Sequence, residues 1–120
     1  MGRRLARVGQ AAIRDGIPVL RPDATLRDAL LELAASDLPM ALVCEGRTLL
    51  GVLTPEDVRG TPPESFEGPV GAVMSRRPPV IQPQALIVEA DRKLDAEGLV
   101  ALVVVDTSGE VHGVYPRRRG

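Results

Sequence analysis

Two short segments of the sequence are near copies of each other, and only one keeps a hydroxyl and a carboxylate at a spacing of three residues. GVLTPEDVRG, residues 51–60, places the hydroxyl of Thr54 three residues before the carboxylate of Asp57. GVYPRRRG, residues 113–120, keeps the Gly-Val pair but has Pro116 and Arg119 at those two positions. A hydroxyl and the free N–H groups of a helix start can hold a phosphate, and a carboxylate can accept both hydroxyls of a ribose diol. Only the first copy therefore has this chemistry.

The same spacing is also typical of a helix N-terminus. Thr54 can be the N-cap, Pro55 the first helical residue, and Asp57 the partner that completes a capping box. Capping explains the spacing without a ligand, although a capping group can also serve a ligand. Both interpretations stay open at this point.

Catalytic and metal-binding constellations are not apparent in the sequence. His112 is the single histidine, and no serine or cysteine lies at a spacing that pairs it with a nucleophile, so we expect an exposed strand residue. Cys44 is the single cysteine, which excludes an intrachain disulfide, and its apolar setting in MALVCEG predicts a buried, inert thiol. No cluster has metal-ligand spacing. The sequence therefore favours a non-catalytic chain.

Charge and hydropathy exclude several classes of protein. The formal charge of −1 over 120 residues carries no nucleic-acid signature, and no apolar run is long enough to cross a membrane. MGRRLARVG lacks the apolar stretch of a signal peptide, so we expect a cytoplasmic protein. Arginines crowd both ends, at Arg3, Arg4, Arg7 and Arg117, Arg118, Arg119. They either solubilise two termini or form a basic patch for a phosphate if the ends fold together.

An internal repeat of about 60 residues organises the chain. Pro22 corresponds to Pro83, and Ala29 to Ala90, each 61 positions on, whereas Gly51 and Gly113 are 62 apart because one loop residue is added. Each copy predicts a short strand, a helix, a strand, a turn, a second strand, and a terminal helix or its remnant. An aliphatic core must form from both copies, because one alone buries little surface.

Apolar spacing predicts the main elements. The first helix should run from Thr25 to about Ser36 and the second should end at Gly98. Their apolar stripes are Leu26, Ala29, Leu30 and Leu33 in the first helix, and Ile87, Ala90 and Leu94 in the second. The expected strands are MALV, Leu49–Leu53, Ala101–Val105 and EVHGVY. Residues 3–15 can form a further helix with Leu5, Val8, Ala12 and Ile13 facing inward.

The domain boundaries follow from these elements. We expect an N-terminal helix or junction segment over 1–16, a first repeat over 17–60, a Pro- and Gly-rich linker over 61–69, and a second repeat over 70–120. The two repeats should form one folding unit.

The repeat, together with GVLTPEDVRG, VGAVMSRRPPVI and LVVVDTSGEVHGV, resembles the CBS domain pair, also called the Bateman module. The resemblance covers residues 14–116. It implies an α/β fold in which the β-α-β-β-α unit occurs twice with pseudo-twofold symmetry. The segments GRRLARV and IPVLRPDATLRDALLELAASDLPMALV further resemble the C-terminal regulatory half of bacterial arabinose 5-phosphate isomerases.

The resemblance also implies a ligand site and a ligand class. The family pattern assigns the site to Val52, Thr54 and Asp57, with Pro79 and Val80 opposite and Ala41 under the base. It implies AMP or ATP, or for the isomerase branch a CMP-linked sugar acid, with no required cofactor. It implies a homodimer, for which the two helix stripes are candidate faces, although they could equally be core. The second cleft, with Pro116 and Arg119, has either lost binding or favours a phosphate or sugar acid.

These expectations point to a regulatory module that senses a nucleotide or nucleotide-sugar and biases an attached sugar-phosphate isomerase domain. Two alternatives stay open. The chain is a ligand-free dimerisation module, or it is a fragment of an arabinose 5-phosphate isomerase of lipopolysaccharide sugar synthesis.

Overall fold

The computed structural model describes residues 5–117 and divides the chain into two compact units. The first-repeat unit is Gly16–Pro78, and the second-repeat unit combines Met1–Asp15 with Pro79–Gly120. The boundaries of the compact units therefore differ from those of the sequence repeats. Residues 5–15 belong with the second repeat, and residues 70–78 belong with the first.

The elements follow the expected order in both repeats. In chain order they are α1 (Val8–Ala11), β1 (Val19–Leu20), α2 (Leu26–Ala34), β2 (Ala41–Glu45), β3 (Thr48–Leu53), α3 (Pro55–Arg59), β4 (Val80–Ile81), α4 (Ile87–Glu97), β5 (Ala101–Val105) and β6 (Val111–Pro116). Short 3₁₀ turns cover Pro63–Ser65 and Val70–Ala72. The α/β prediction is confirmed. A terminal helix of the second repeat would lie outside the described residues, which end one residue after β6.

Each unit contains a three-stranded sheet with the same topology. The strand orders are β1-β2-β3 and β4-β5-β6, with the first pair parallel and the second antiparallel in both sheets. Both antiparallel pairs shift register at one point, between Val43 and Cys44 and between Val104 and Val105. The fold of the two repeats is therefore the same down to an irregularity in one strand pair.

The apolar stripes of the two long helices lie in the cores. Leu26 and Ala29 of α2 are buried with β2 and β3 side chains, and Ile87, Ala90 and Leu94 of α4 are buried with those of β5 and β6. The core alternative for the stripes is thus confirmed. Leu31 of α2 lies outside the stripe, with two-thirds of its surface exposed.

Capping groups fix where these helices begin and end. The Thr25 hydroxyl accepts from the Asp28 N–H at 3.1 Å, and the Asp28 carboxylate accepts from the Thr25 N–H at 3.3 Å. Helix α4 ends at Gly98, whose φ of 62° is left-handed and suits glycine. The predicted start of α2 at Thr25 and the predicted end of α4 at Gly98 are confirmed. Helix α2 ends at Ala34, two residues before the expected Ser36.

A segment from outside each repeat completes that repeat's unit. In the second-repeat unit the Val8 N–H donates to the Ala85 carbonyl at 2.7 Å. In the first-repeat unit the Val70 N–H donates to the Ala24 carbonyl at the same distance. Val8 and Val70 are each fully buried. Each repeat's core therefore uses a valine from outside that repeat.

The expected linker over 61–69 is bound along its second half. The first N–H groups of α2 have no partner within their own helix. Leu26 donates to the Gly68 carbonyl at 3.1 Å and Arg27 to the Phe66 carbonyl at 3.0 Å. This segment therefore caps the helix of the first repeat as well as connecting the repeats.

The expected helix over 3–15 is wrong in its extent. Only Val8–Ala11 is helical, Leu5 and Ile13 are exposed, and residues 3 and 4 lie outside the described part. Ile13 is extended and exchanges hydrogen bonds of 2.8 and 2.9 Å with Val114. Backbone pairing with β6 thus overrides the helical spacing. Among residues 5–117, no helix is long and apolar enough to cross a membrane.

Candidate functional site

Thr54 and Asp57 meet where β3 passes into α3. The Asp57 Oδ2 atom accepts from the Thr54 N–H at 2.9 Å and from the Thr54 hydroxyl at 3.1 Å. The Thr54 hydroxyl oxygen accepts from the Asp57 N–H at 3.4 Å. The capping interpretation of this motif is therefore confirmed, and both side chains are held in fixed positions.

The cap does not use all of the Asp57 carboxylate. Every hydrogen bond that the side chain forms within residues 5–117 goes to Oδ2. Asp57 is half-buried, and its Oδ1 atom has no hydrogen-bond partner among residues 5–117. An ionised carboxylate oxygen only accepts hydrogen bonds. The site can therefore accept a hydroxyl on Oδ1 while Oδ2 keeps the helix capped.

Ala41 and Val52 lie in the strands that support this corner. Ala41 is opposite Leu53 in the β2–β3 register, and its methyl group is fully buried in the first-repeat core. Val52 is buried and forms two hydrogen bonds with Ser75, of 3.1 and 2.9 Å. The structure brings Thr54 and Asp57 into contact, and it places Ala41 and Val52 in the strands leading to them.

Pro79 and Val80 belong to the second-repeat unit. The Pro79 carbonyl accepts from the Val103 N–H at 2.8 Å, and the Val80 carbonyl accepts from the Lys93 ammonium at 3.1 Å. Both residues are half-buried at strand β4. Their assignment to the ligand site stays a prediction.

The second copy of the motif performs a structural task. Pro116 ends β6 opposite Ala101. The Arg117 guanidinium donates to the carbonyls of Leu94 and Leu99, at 2.6 and 2.9 Å, and to the Asp95 carboxylate at 2.6 Å. Basic side chains near a helix C-terminus stabilise its free carbonyls. Arg117 therefore caps α4, whereas Arg3, Arg4, Arg118 and Arg119 lie outside the described residues.

The glycine that both copies keep has a packing role. A Cβ atom on Gly51 would lie 2.5 Å from the Ser75 carbonyl oxygen, and one on Gly113 would lie 2.6 Å from the Ile13 carbonyl oxygen. Real Cβ atoms do not approach backbone oxygens so closely. The repeated Gly-Val pair thus reflects a close backbone approach that both units share.

One polar pair was not expected from the sequence. His112 Nε2 lies 2.8 Å from Asp106 Oδ2, and neither side chain is more than about a third exposed. The other Asp106 oxygen accepts from Ser108 and from the Glu110 N–H. Hydrogen bonds from Ser108 and His112 hold the pKa of Asp106 below its usual range. Asp106 is the first residue of the predicted DTSG turn, and His112 follows it by six residues on the return strand. A hairpin brings residues at such a spacing together, so the sequence could have predicted this pair.

Cys44 is the one cysteine among residues 5–117. Cys44 is buried as predicted, and burial raises the pKa of its thiol. Residues 5–117 contain no group of three or more side chains that could hold a metal ion.

Comparison with known proteins relates both repeats to one family. The CBS domain family matches residues 8–62 and 70–119. Arabinose 5-phosphate isomerase KdsD of Francisella tularensis is 30% identical over 119 residues, covering 95% of this chain and 36% of the isomerase. The chain spans about a third of the length of the curated isomerases it matches.

Solved structures share the fold. The crystal structure of CBSX2 in complex with AMP, a protein from Arabidopsis thaliana, superposes with a TM-score of 0.81 at 25% identity, covering 92% of this chain and 90% of that one. The CBS domains of a Streptococcus pneumoniae transcriptional regulator superpose with a TM-score of 0.84 at 22% identity, covering 95% of each chain. The second likeness supports the fold alone.

Proposed function

Because the chain belongs to the CBS domain family and carries two of its domains, we propose that it is a regulatory module that binds a nucleotide-type ligand at Thr54 and Asp57. The observation that carries the proposal is the divided use of the Asp57 carboxylate, since Oδ2 caps α3 and leaves Oδ1 to accept hydroxyl groups. A diol on a ribose matches that acceptor.

The ligand class is supported by a related protein. The similar CBSX2 structure contains AMP, so AMP and ATP are the first ligands to test. The chain is similar to an arabinose 5-phosphate isomerase, and for that branch we propose CMP-linked sugar acids as a second class to test. We further propose that the parent protein is a sugar-phosphate isomerase of lipopolysaccharide sugar synthesis and that it works in the cytoplasm.

Regulation would follow from linkage between binding and conformation. A ligand shifts an equilibrium only by its difference in affinity for the two states. A nucleotide that contacts Asp57 and stabilises one state of the module would bias any catalytic domain whose activity depends on that state. The module itself needs no catalytic residue for this task.

One ribonucleotide per chain is the expected stoichiometry. The second motif copy has no acid at the position of Asp57, and Arg117 in that copy is engaged with α4. Isothermal titration calorimetry with AMP, ATP and a CMP-linked sugar acid measures this directly. A ligand at 100 times its Kd should also raise the free energy of unfolding by about 2.7 kcal/mol. Two equivalent sites per chain would contradict the proposed asymmetry.

A homodimer is the expected assembly. The predicted helix stripes lie in or against the cores, and Leu31 is the large apolar side chain of α2 that is exposed. Sedimentation equilibrium should show a dimer at micromolar concentration, and Leu31→Glu should weaken it. A monomer at high micromolar concentration would contradict this expectation. A dimer that binds none of the nucleotides would instead support the ligand-free alternative.

A further inference from the structure

The first-repeat unit contains a cavity that lies apart from Thr54 and Asp57. Its volume is about 480 Å³, which is within the usual range for small-molecule sites, and all of its lining residues belong to Gly16–Pro78. Glu45, at the end of β2, and Leu50, near the start of β3, both line it. Because Thr54 follows the other end of β3, the cavity and the Thr54–Asp57 corner lie at opposite ends of the β2–β3 hairpin.

Apolar side chains form part of the cavity wall. Leu50 is half-buried and Met74 is buried, and both pack in the core of the unit. Pro22 and Pro69 also line the cavity. Burying an apolar group against such surface is favourable, and the flexible methionine side chain can adapt to its shape. The wall therefore suits a ligand with an apolar body.

Four charged side chains line the same cavity, two of each sign. They are the guanidinium groups of Arg21 and Arg76 and the carboxylates of Asp23 and Glu45. Their charges sum to zero when all four are ionised, so a simple anion or a simple cation meets repulsion as well as attraction. A zwitterion instead finds an opposite charge for each of its two charged groups.

Two of these side chains have hydrogen-bonding capacity to spare. Within residues 5–117 the Arg76 guanidinium uses one N–H, which Nη2 donates to the Gly71 carbonyl at 3.0 Å, and this bond positions the group. A guanidinium has five N–H donors. The Glu45 carboxylate forms no ion pair or hydrogen bond among residues 5–117. One cationic donor and one anionic acceptor are thus available at one cavity.

The second repeat shows that the fold does not require the charges of Arg21 and Asp23. These two side chains form an exposed pair at 3.5 Å. Sixty-one positions on, Gln82 and Gln84 occupy their places, and the two amide side chains share a hydrogen bond of 2.6 Å. A neutral pair therefore serves the same turn in the other unit.

The second repeat also uses its acid differently. Asp106 corresponds to Glu45, and its carboxylate is bonded to Ser108 and His112 within the hairpin. Leu50 corresponds to His112, since both stand directly before the repeated glycine. The acid of the first repeat is thus left without a partner beside an apolar side chain, and this combination belongs to one unit only.

We propose that the cavity binds an α-amino acid with an apolar side chain. The Arg76 guanidinium binds its carboxylate, because a guanidinium can donate two parallel hydrogen bonds to such a group. The Glu45 carboxylate accepts from its ammonium group, which carries donors only. Its side chain packs against Leu50 and Met74. This site goes beyond the proposed nucleotide site and does not depend on it.

L-leucine tests the proposal beside two analogues that each lack one charge. Leucinamide lacks the carboxylate, and 4-methylpentanoate lacks the amino group. NMR titration of the whole chain should show leucine binding about tenfold more tightly than either analogue, because each analogue loses hydrogen bonds to a charged group. Glycine, which has no apolar side chain, should also bind more weakly than leucine.

Two substitutions should each affect one end of the ligand. Glu45→Gln should lower the affinity for leucine about tenfold and should not weaken 4-methylpentanoate, which has no ammonium group to lose. Arg76→Gln should lower the affinity for leucine and leave that for leucinamide unchanged. Glu32→Gln removes an exposed acid of α2 outside the cavity and should change none of these affinities.

The crossed pattern of losses excludes a folding defect as their cause, because a damaged variant would lose every ligand. Failure of leucine to bind at millimolar concentration, or equal binding of leucine and glycine, would overturn the proposal. Equal losses for leucine and both analogues in each variant would also overturn it. Each of these results would leave the nucleotide site, which is tested with AMP and ATP, standing.

Discussion

Replacing Asp57 by asparagine should lower the affinity for a ribonucleotide at least tenfold while α3 stays capped. An asparagine oxygen can occupy the place of Oδ2, which accepts from the Thr54 N–H at 2.9 Å. The amide NH₂ group then replaces Oδ1, and it cannot accept from a diol hydroxyl. A hydrogen bond to a charged acceptor contributes about 1.5–3 kcal/mol, which corresponds to a factor of ten or more in Kd.

The structure supplies a matched control in the same unit. Thr25 and Asp28 form an equivalent capping box at α2, and Asp28 is exposed outside the predicted site. Asp28→Asn should change the free energy of unfolding about as much as Asp57→Asn, by no more than about 1 kcal/mol. It should leave the affinity for the nucleotide unchanged. Equal losses of affinity in the two variants would contradict a direct contact at Asp57.

A 2′-deoxy ligand locates the contact. It should bind the unsubstituted protein weakly, and Asp57→Asn should weaken it little further, because both changes remove the same interaction. Additive losses in this double-mutant cycle would place Asp57 away from the diol. The Thr54–Asp57 pair would then have the role of a helix cap alone.

The sequence predicted the elements well because local rules decide most of them. The stripe of α4, the left-handed stop at Gly98 and the β-branched run Ala101–Val105 are each encoded within a few residues. The capping box at Thr54 has the same local origin. Periodicity and capping signals were therefore enough to predict the fold class and the β3–α3 junction at Thr54.

Long-range backbone pairing decided what the sequence did not predict. Ala12 and Ile13 continue the helical spacing that begins at Leu5. The backbone of Ile13 instead forms two hydrogen bonds with Val114, about a hundred residues further along the chain. The role of Arg117 depends in the same way on carbonyls of α4 that the sequence does not place beside it. Apolar spacing within a segment holds no information about such distant partners.

Replacing Gly51 by alanine should destabilise the protein by about 1–3 kcal/mol, the usual cost of overpacking. The new Cβ atom would lie 2.5 Å from the Ser75 carbonyl oxygen, which accepts from the Val52 N–H at 3.1 Å. A backbone atom held by that bond cannot move aside as a flexible side chain does. Gly113→Ala should cost more, because its φ of 153° adds backbone strain to a similar approach to Ile13.

Gly60→Ala is the control for both glycine substitutions. Gly60 ends α3 with an ordinary φ of −78°, and its added Cβ atom would meet its nearest neighbour at 3.6 Å. Without strain, this change should raise the free energy of unfolding by about 0.4–1 kcal/mol, because alanine reduces the entropy of the unfolded chain. Urea unfolding should therefore give midpoint shifts of opposite sign, with unchanged slopes.

The two expected losses explain why the motif is repeated with its chemistry in one copy. Val52 pairs with Ser75 and Val114 pairs with Ile13, in each case a residue from outside the valine's own repeat, and the preceding glycine permits that close approach in each unit. Thr54 and Asp57 are not repeated, because Pro116 and Arg119 stand at the corresponding positions of the second copy and β6 ends at Pro116. If Gly51→Ala proved no more destabilising than Gly60→Ala, close approach would not be the reason for the repeat. With the expected loss, packing maintains the Gly-Val pair in both repeats, and the acid is free to serve a ligand in one.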